Sequence, residues 1–248
     1  MSKDRSGTRA SAVLWDGVRR LLEGCATGSD GQRRCSVVDL GGGTGGLAVR
    51  IASLGHTVTV VDPSPDALAA LAQRTAEAGV AARVRGVQGD ATDLAALLPA
   101  AGADLLLCHG VLEVVDELLA TLRAAAGALR PGGSLSLLVA QWPAAVLARA
   151  LSGSAAQALR LLEDPDRRWG AADPLRRRLD RAAVTALAVE AGFTVTQVEG
   201  VRTFSELVPG ASVGSDADLD LLRRLDAQAA HVEELLPLAA HLHLHARR

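Results

Sequence analysis

Ser36-Val37-Val38-Asp39-Leu40-Gly41-Gly42-Gly43-Thr44-Gly45-Gly46 is the stretch whose reading decides the fold. Its first five residues read as a buried β-strand. The glycines turn the backbone tightly where a ligand lies against it. A helix then runs from Gly46 to Leu54 and stops at Gly55.

Working outward, the same strand–helix alternation repeats. Thr57–Val61 reads as a second strand, and Ser64–Ala78 as a helix capped by Ser64 and stopped by Gly79. Arg83–Val87, Asp104–Cys108 and Ser134–Ala140 read as further strands, with helices over Ala91–Leu98 and Val114–Leu129 between them. Strands spaced by helices imply right-handed βαβ units and an α/β, doubly wound, mostly parallel sheet. Ahead of this block, Ser11–Leu22 is an amphipathic helix, and Gly24–Arg34 a polar linker. Behind it, residues 141–181 read as a lid-like insertion, helical around Ala144–Leu162 and then rich in Pro and Arg. Arg181–Ala191 is a helix, Thr194–Val201 a strand, Ser215–Leu236 an acidic helical stretch and Leu238–Ala246 a final strand. The expected division is an N-terminal helix and linker (1–35) and one domain (36–248), with its cofactor core at 36–140 and the rest of its sheet and helices at 182–248.

The 248 residues are 49% hydrophobic and 22% charged, enough for a core that needs no staple. Three cysteines, Cys25, Cys35 and Cys108, without paired spacing argue against a disulfide framework and a cysteine-based zinc site. They point to a reducing, cytoplasmic setting. The polar segment Met1–Ala10 has no signal-peptide pattern, and no apolar run spans a bilayer, so no membrane is expected. A net charge of −2 argues against a nucleic-acid polycation while leaving room for a local basic patch. One Lys against 25 Arg reads as codon bias in a GC-rich genome.

Gly41, Gly43 and Gly46 also satisfy G-x-G-x-x-G, so the loop alone fits a dinucleotide or another adenosyl cofactor. Asp62, 21 residues after Gly41 at the end of strand two, is placed to accept hydrogen bonds from ribose hydroxyls, or to act as a turn acid ahead of Ser64. Asp39 two residues before the first glycine, Gly89-Asp90 after strand three, and Leu129-Arg130-Pro131-Gly132-Gly133 before strand five complete the pattern.

Together these segments resemble the class I S-adenosylmethionine-dependent methyltransferases. The resemblance implies a Rossmann-like, seven-stranded sheet with an antiparallel last strand, with S-adenosyl-L-methionine along the strand ends. It also implies a bond from Asp62 to ribose and packing of Gly41 to Gly45 on the methionine part. Ala12-Val13-Leu14-Trp15, Cys108-His109-Gly110-Val111-Leu112-Glu113, Gly200-Val201-Arg202-Thr203-Phe204 and the His241–Arg247 ending carry it further. In that order they look like the bacterial tRNA 5-carboxymethoxyuridine methyltransferases, which esterify the carboxylate of a modified wobble uridine. This closer resemblance places Gly41, Gly42, Asp62, Gly89, Asp90 and His109 at the cofactor, with Arg9 near the position of a cofactor-binding arginine. Gly43, Gly45 and Asp39 join them through the loop pattern. Departures fall on the substrate side: Gln141-Trp142 stands for an aromatic–Asn pair, and Ala239-Ala240 for an Arg–aromatic pair.

A carboxylate acceptor is already ionised and needs a cation rather than a base. Arg202, just after strand six, is the candidate catalytic residue for that orienting role. Arg167, Arg168, Arg176, Arg177, Arg178 and Arg181 either form a solvated surface or hold phosphates of RNA. His241, His243 and His245 share one strand face. With no carboxylate or Cys alongside, that face reads as solvated and no metal is expected. Trp142 and Trp169 read as core or rim packing. The acceptor is expected to be tRNA or a small molecule. A small-molecule O- or N-methyltransferase, a non-catalytic adenosyl-binding regulator and an NAD-dependent oxidoreductase are the other readings, the last opposed by Asp39 and Gly89-Asp90.

Overall fold

The computed structural model describes residues 12–25, 34–98, 100–208 and 214–248; Arg9 lies outside them. Seven strands form one sheet in the order β3-β2-β1-β4-β5-β7-β6. They are β1 (Ser36–Leu40), β2 (Thr57–Asp62), β3 (Val84–Gln88), β4 (Ala103–His109), β5 (Leu129–Ala140), β6 (Thr194–Val201) and β7 (His241–Arg247). The pairs from β3 to β5 are parallel, and β7 runs antiparallel to both β5 and β6. This is the topology that the resemblance implies, with the strand order reversing between β1 and β4, where sheets of this kind bind ligands at the strand ends.

Apolar side chains alternate to the two faces of the strands, so two cores form. Leu40, Leu106, Leu137, Leu242 and Leu244 belong to one. Val37, Val60, Leu105 and Leu107 belong to the other, beneath helices α1 (Ala12–Glu23) and α2 (Gly46–Ser53). α1 presents Leu14, Val18 and Leu22, one per turn, to that core. α3 (Pro65–Glu77) starts as its sequence indicates, with Ser64 Oγ accepting from Ala67 N and proline in the first turn. α4 (Leu94–Leu97) follows a short turn, and α5 (Leu118–Ala128) is shorter than the expected Val114–Leu129 helix. Its missing first turn, Val114–Glu117, lines a cavity instead.

The insertion folds as α6 (Trp142–Leu151) and α7 (Ala155–Glu163), followed by an irregular strip leading to α8 (Arg181–Glu190). That strip crosses the ends of β4 and β5: Arg176 N donates to Glu113 O at 2.9 Å and Leu179 N to Ala140 O at 3.1 Å. α9 (Asp216–Ala229) is the acidic helix, opened by Ser215 accepting from Asp218 N.

One cysteine expectation is overturned. Cys25 at the end of α1 and Cys35 at the start of β1 are disulfide-bonded, with Cα atoms 5.7 Å apart, while Cys108 is free and buried. The odd count hid a pair because the chain returns beside α1 to enter the sheet. The inference to a reducing setting falls with it. Among the described residues, no helix is long and apolar enough to cross a membrane.

Candidate functional site

A cavity of about 600 Å³ opens at the carboxyl ends of β1, β2 and β4. Leu40, Gly41, Asp62, Gly89, Asp90 and Gly110 line it, with Val114–Glu117 and Arg176 on the far side. Gly41 has φ +68°, and a Cβ there would lie 2.7 Å from Val111 Cγ2, so only glycine fits this close turn. Its N–H donates to Val61 O at 2.8 Å, tying the loop to the end of β2.

Asp62 lines the cavity and takes the turn role foreseen for it. Oδ2 accepts from Gly43 N and Oδ1 from Ser64 N, each at 2.9 Å. A carboxylate offers about four lone-pair positions, so both oxygens keep capacity for ribose hydroxyls. The residues present therefore fit an adenosyl group. Asp90 lines the cavity while capping the turn Ala91–Asp93, in a box where Asp90 N donates to Asp93 Oδ2 at 3.2 Å. Gly89 is small for a packing reason: a Cβ there would meet Leu97 Cδ1 at 2.2 Å.

Other expected site residues are not among those lining the cavity. Gly42, Gly43 and Gly45 shape the loop without lining the cavity. Gly45 packs so closely on Leu71 that a Cβ would come within 2.0 Å of Cδ1. Asp39 does not line the cavity either. It lies beneath Gly42, whose Cβ would fall 2.5 Å from Asp39 Oδ2. Burial, with the neighbouring Asp62 charge added, pushes its carboxyl up to about 7. Asp39 thus supports the loop and does not reach the cavity. His109 is displaced in the same sense: its Nε2 lies 2.8 Å from Ser136 Oγ, and it is the next residue, Gly110, that lines the cavity.

A smaller cavity of about 310 Å³ lies where β5 ends and β7 begins, lined by Gln141, Arg149, Arg178, Glu206 and His241. The strip before α8 separates the two spaces, since Leu175 and Arg178 line the smaller and Arg176 the larger. Gln141 is fixed by donating to Leu236 O at 2.7 Å and Ala239 O at 2.8 Å. Burial lowers the His241 imidazole to about 4, and the Arg202 and Arg178 charges add to the effect. Arg202 stands one contact back from this cavity, paired with Glu206, with its backbone at φ +60°.

The arginine group is mostly consumed internally. Arg178 forks onto buried Asp173 at 2.6 and 3.0 Å, and Arg177 donates to Leu112 O at 3.1 Å and to Val115 O. Arg176 pairs with Asp116 and Arg181 with Glu233. Arg167 covers the Trp142 ring and donates to Leu162 O at 2.6 Å. Arg167, Arg177 and Arg178 thus hold the insertion together, whereas the pairs of Arg176 and Arg181 are exposed to solvent. Trp142 and Trp169 pack under Arg167 and Arg149 as rim residues.

The histidine face is also corrected. His243 and His245 are 0% and 3% exposed, and Glu199, buried on β6, is the carboxylate alongside that sequence spacing did not reveal. Antiparallel register sets Glu199 directly opposite His243. Glu113 is a second residue missed: it is buried, and its Oε1 accepts from Ala140 N at 2.6 Å, joining the ends of β4 and β5.

Residues 37–133 match the family described as "Methyltransferase domain". Over 98% of this chain and 89% of its own length, the "tRNA 5-carboxymethoxyuridine methyltransferase" of Escherichia coli (strain K12) is 27% identical. The "Ubiquinone biosynthesis O-methyltransferase" of Xanthomonas campestris pv. campestris (strain B100) is 36% identical over 48% of each chain. A crystal structure of an S-adenosylmethionine-dependent methyltransferase from Mesorhizobium loti superposes with a TM-score of 0.62 at 20% identity, covering 96% of this chain and 99% of that one.

Proposed function

We propose, from the premise that this chain is a class I S-adenosylmethionine-dependent methyltransferase, that it methylates a carboxylate oxygen, and that this carboxylate belongs to a modified wobble uridine of tRNA. S-adenosylmethionine supplies an electrophilic methyl group with its own leaving group, so the protein contributes position and electrostatics. Asp62, with Gly41 and Asp90, would hold the adenosyl end in the larger cavity. The acceptor would bind through the smaller cavity, and methyl transfer then requires the strip Leu175–Leu179, which lies between the two spaces, to admit its carboxylate to the sulfonium.

The observation that carries this reading is the lining of the smaller cavity. Arg149 lines it, Arg202 stands behind Glu206, and burial keeps His241 uncharged. Guanidinium groups orient a carboxylate, which needs no proton removed before it attacks. Likeness to the Escherichia coli tRNA enzyme along nearly the whole chain supports the tRNA carrier. That acceptor would place the reaction in the cytoplasm.

A small carboxylic acid as acceptor is the second reading, favoured by the internal engagement of Arg176, Arg177, Arg178 and Arg181. Turnover to S-adenosylhomocysteine on total tRNA, set against a panel of small carboxylic acids, separates the two. No turnover on either leaves the non-catalytic regulator. Arg202→Ala should cost about 2–4 kcal/mol in kcat/KM, the scale of one preorganised charge-stabilising donor. Arg202→Lys should recover only part of it, because ammonium lacks the fork. Cofactor affinity should be unchanged in both, and wild-type turnover by the Ala variant would remove Arg202 from the mechanism.

A further inference from the structure

On the face of the sheet covered by α1, β6 and β7 bring together three donors that the methyl-transfer site does not use. Glu199, His243 and His245 are 0%, 0% and 3% exposed. His243 Nδ1 and His245 Nε2 are 3.2 Å apart. Glu199 Oε2 is 3.7 Å from the first and 4.0 Å from the second. Zinc bonds of about 2.0–2.2 Å in tetrahedral geometry separate ligand atoms by about 3.3–3.6 Å. The three separations straddle that range.

Of the three donors, Glu199 holds the one buried atom without a hydrogen-bond partner. Glu199 Oε1 accepts from Arg20 and, at 2.8 Å, from Gln197 Nε2. Oε2 is fully buried and has no hydrogen-bond partner among the described residues. Such an acceptor is costly to leave bare. The imidazoles cannot serve it, since 3.7 and 4.0 Å are beyond hydrogen-bond reach.

On its other side, His243 Nε2 is 2.7 Å from Ser136 Oγ, which is 2.8 Å from His109 Nε2. If His243 carries its proton on Nε2 and donates to Ser136, the hydroxyl donates to His109, and the His243 Nδ1 lone pair faces His245 Nε2, whose hydrogen bond to it a bound ion would replace. A metal-ligating histidine is held in this way by its outer neighbour.

The cover is also shaped for these atoms. A Cβ on Gly17 of α1 would lie 2.8 Å from His243 Nδ1 and 2.9 Å from His245 Nε2. Glycine in mid-helix is otherwise unfavourable, so its place here answers to the imidazoles beneath it.

We propose that Glu199 Oε2, His243 Nδ1 and His245 Nε2 bind a divalent transition-metal ion, zinc fitting the donors best, and that Ser136 positions His243 for it. Neutral imidazole and carboxylate suit zinc and related first-row ions. The ion gives Oε2 its missing partner and couples β6 to β7 beneath α1.

The test uses the full chain with any affinity tag removed, unfolded in guanidinium and refolded with one equivalent of zinc or with chelator. After desalting, mass-spectrometric metal analysis should find one zinc per chain in the first sample, with a higher Tm than the chelator-treated protein. Glu199→Gln and His245→Gln should each weaken zinc retention against a competing chelator by at least about tenfold, and Ser136→Ala by about 10–100-fold. Refolded wild-type protein that holds no zinc and shows an unmoved Tm overturns the proposal without any variant. Undiminished retention by a Glu199→Gln, His245→Gln double variant overturns it as well.

Discussion

The glycine-loop end of β1 and β2 and the histidine centre of β5, β7 and β6 are two polar regions built into one sheet by different routes. In the first, the working residues fall between Asp39 and Asp62, and one turn connects them: Asp62 accepts from Gly43 N while Gly41 N donates to Val61 O. In the second, Arg20 reaches Glu199 across 179 residues of sequence and Ser136 meets His243 across 107. Burial also acts in opposite directions on them, raising the Asp39 carboxyl to about 7 and lowering the His243 imidazole to about 3. Both shifts have one cause, the cost of charge away from water. The loop region is therefore held by local backbone geometry. The histidine centre is held by register between strands and by the helix laid over them.

The largest expected effect sharpens the first half of that contrast. Asp62→Ala should weaken S-adenosylmethionine binding by about 3–6 kcal/mol if two ribose hydroxyls lose a charged acceptor worth about 1.5–3 kcal/mol each. Calorimetry on the folded variant showing wild-type affinity would break the assignment of the larger cavity.

Next come two glycines, one in each region. Gly45→Ala combines a φ of +77° with a Cβ 2.0 Å from Leu71 Cδ1, so urea unfolding should show a loss of about 2–5 kcal/mol. Gly17→Ala adds overpacking against His243 of about 1–3 kcal/mol but regains about 1 kcal/mol of helix preference. It should be milder than Gly45→Ala. The reverse order would mean that the histidine centre, not the loop, is the less yielding region.

The last comparison is of a slope rather than of a total. Asp39 has a folded pKa raised to about 7 against an ordinary 3.8, so folded protein holds a proton that the unfolded chain releases between those values. Its contribution is full below about pH 4 and is lost as pH rises toward 7, at up to about 1.4 kcal/mol per pH unit. Asp39→Asn should remove that decline, giving a flatter stability profile from pH 5 to 7 by urea denaturation. A profile parallel to wild type would show that Asp39 is ionised throughout.

Much of the sheet was legible because its signals are local. Ser64 before Pro65 marks a helix start, and Thr194–Val201 appears as written. The helix expected from Val114 begins only at Leu118, because Val114–Glu117 form the wall of the larger cavity. Asp62 and Gly41 were readable as cavity residues from a strand followed by glycines. Asp39 and His109 belong to the same motifs, yet neither is among the residues lining the cavity, which a linear motif does not record. The charge run from Arg167 to Arg181 could not disclose its partners, since Asp116, Glu233 and the carbonyls of Leu112 and Val115 come from elsewhere in the chain.

By itself the sequence determined the alternation of strands and helices, the glycine turn with its acid at the end of β2, and thereby the parallel core of the sheet, because propensity, capping and period act over a few residues. Tertiary structure alone decided which cysteines meet, which arginines are spent, and that Glu199 stands opposite His243. Those outcomes depend on antiparallel register and on the packing of α1 over the sheet, and neither has a short-range trace in the order of the residues.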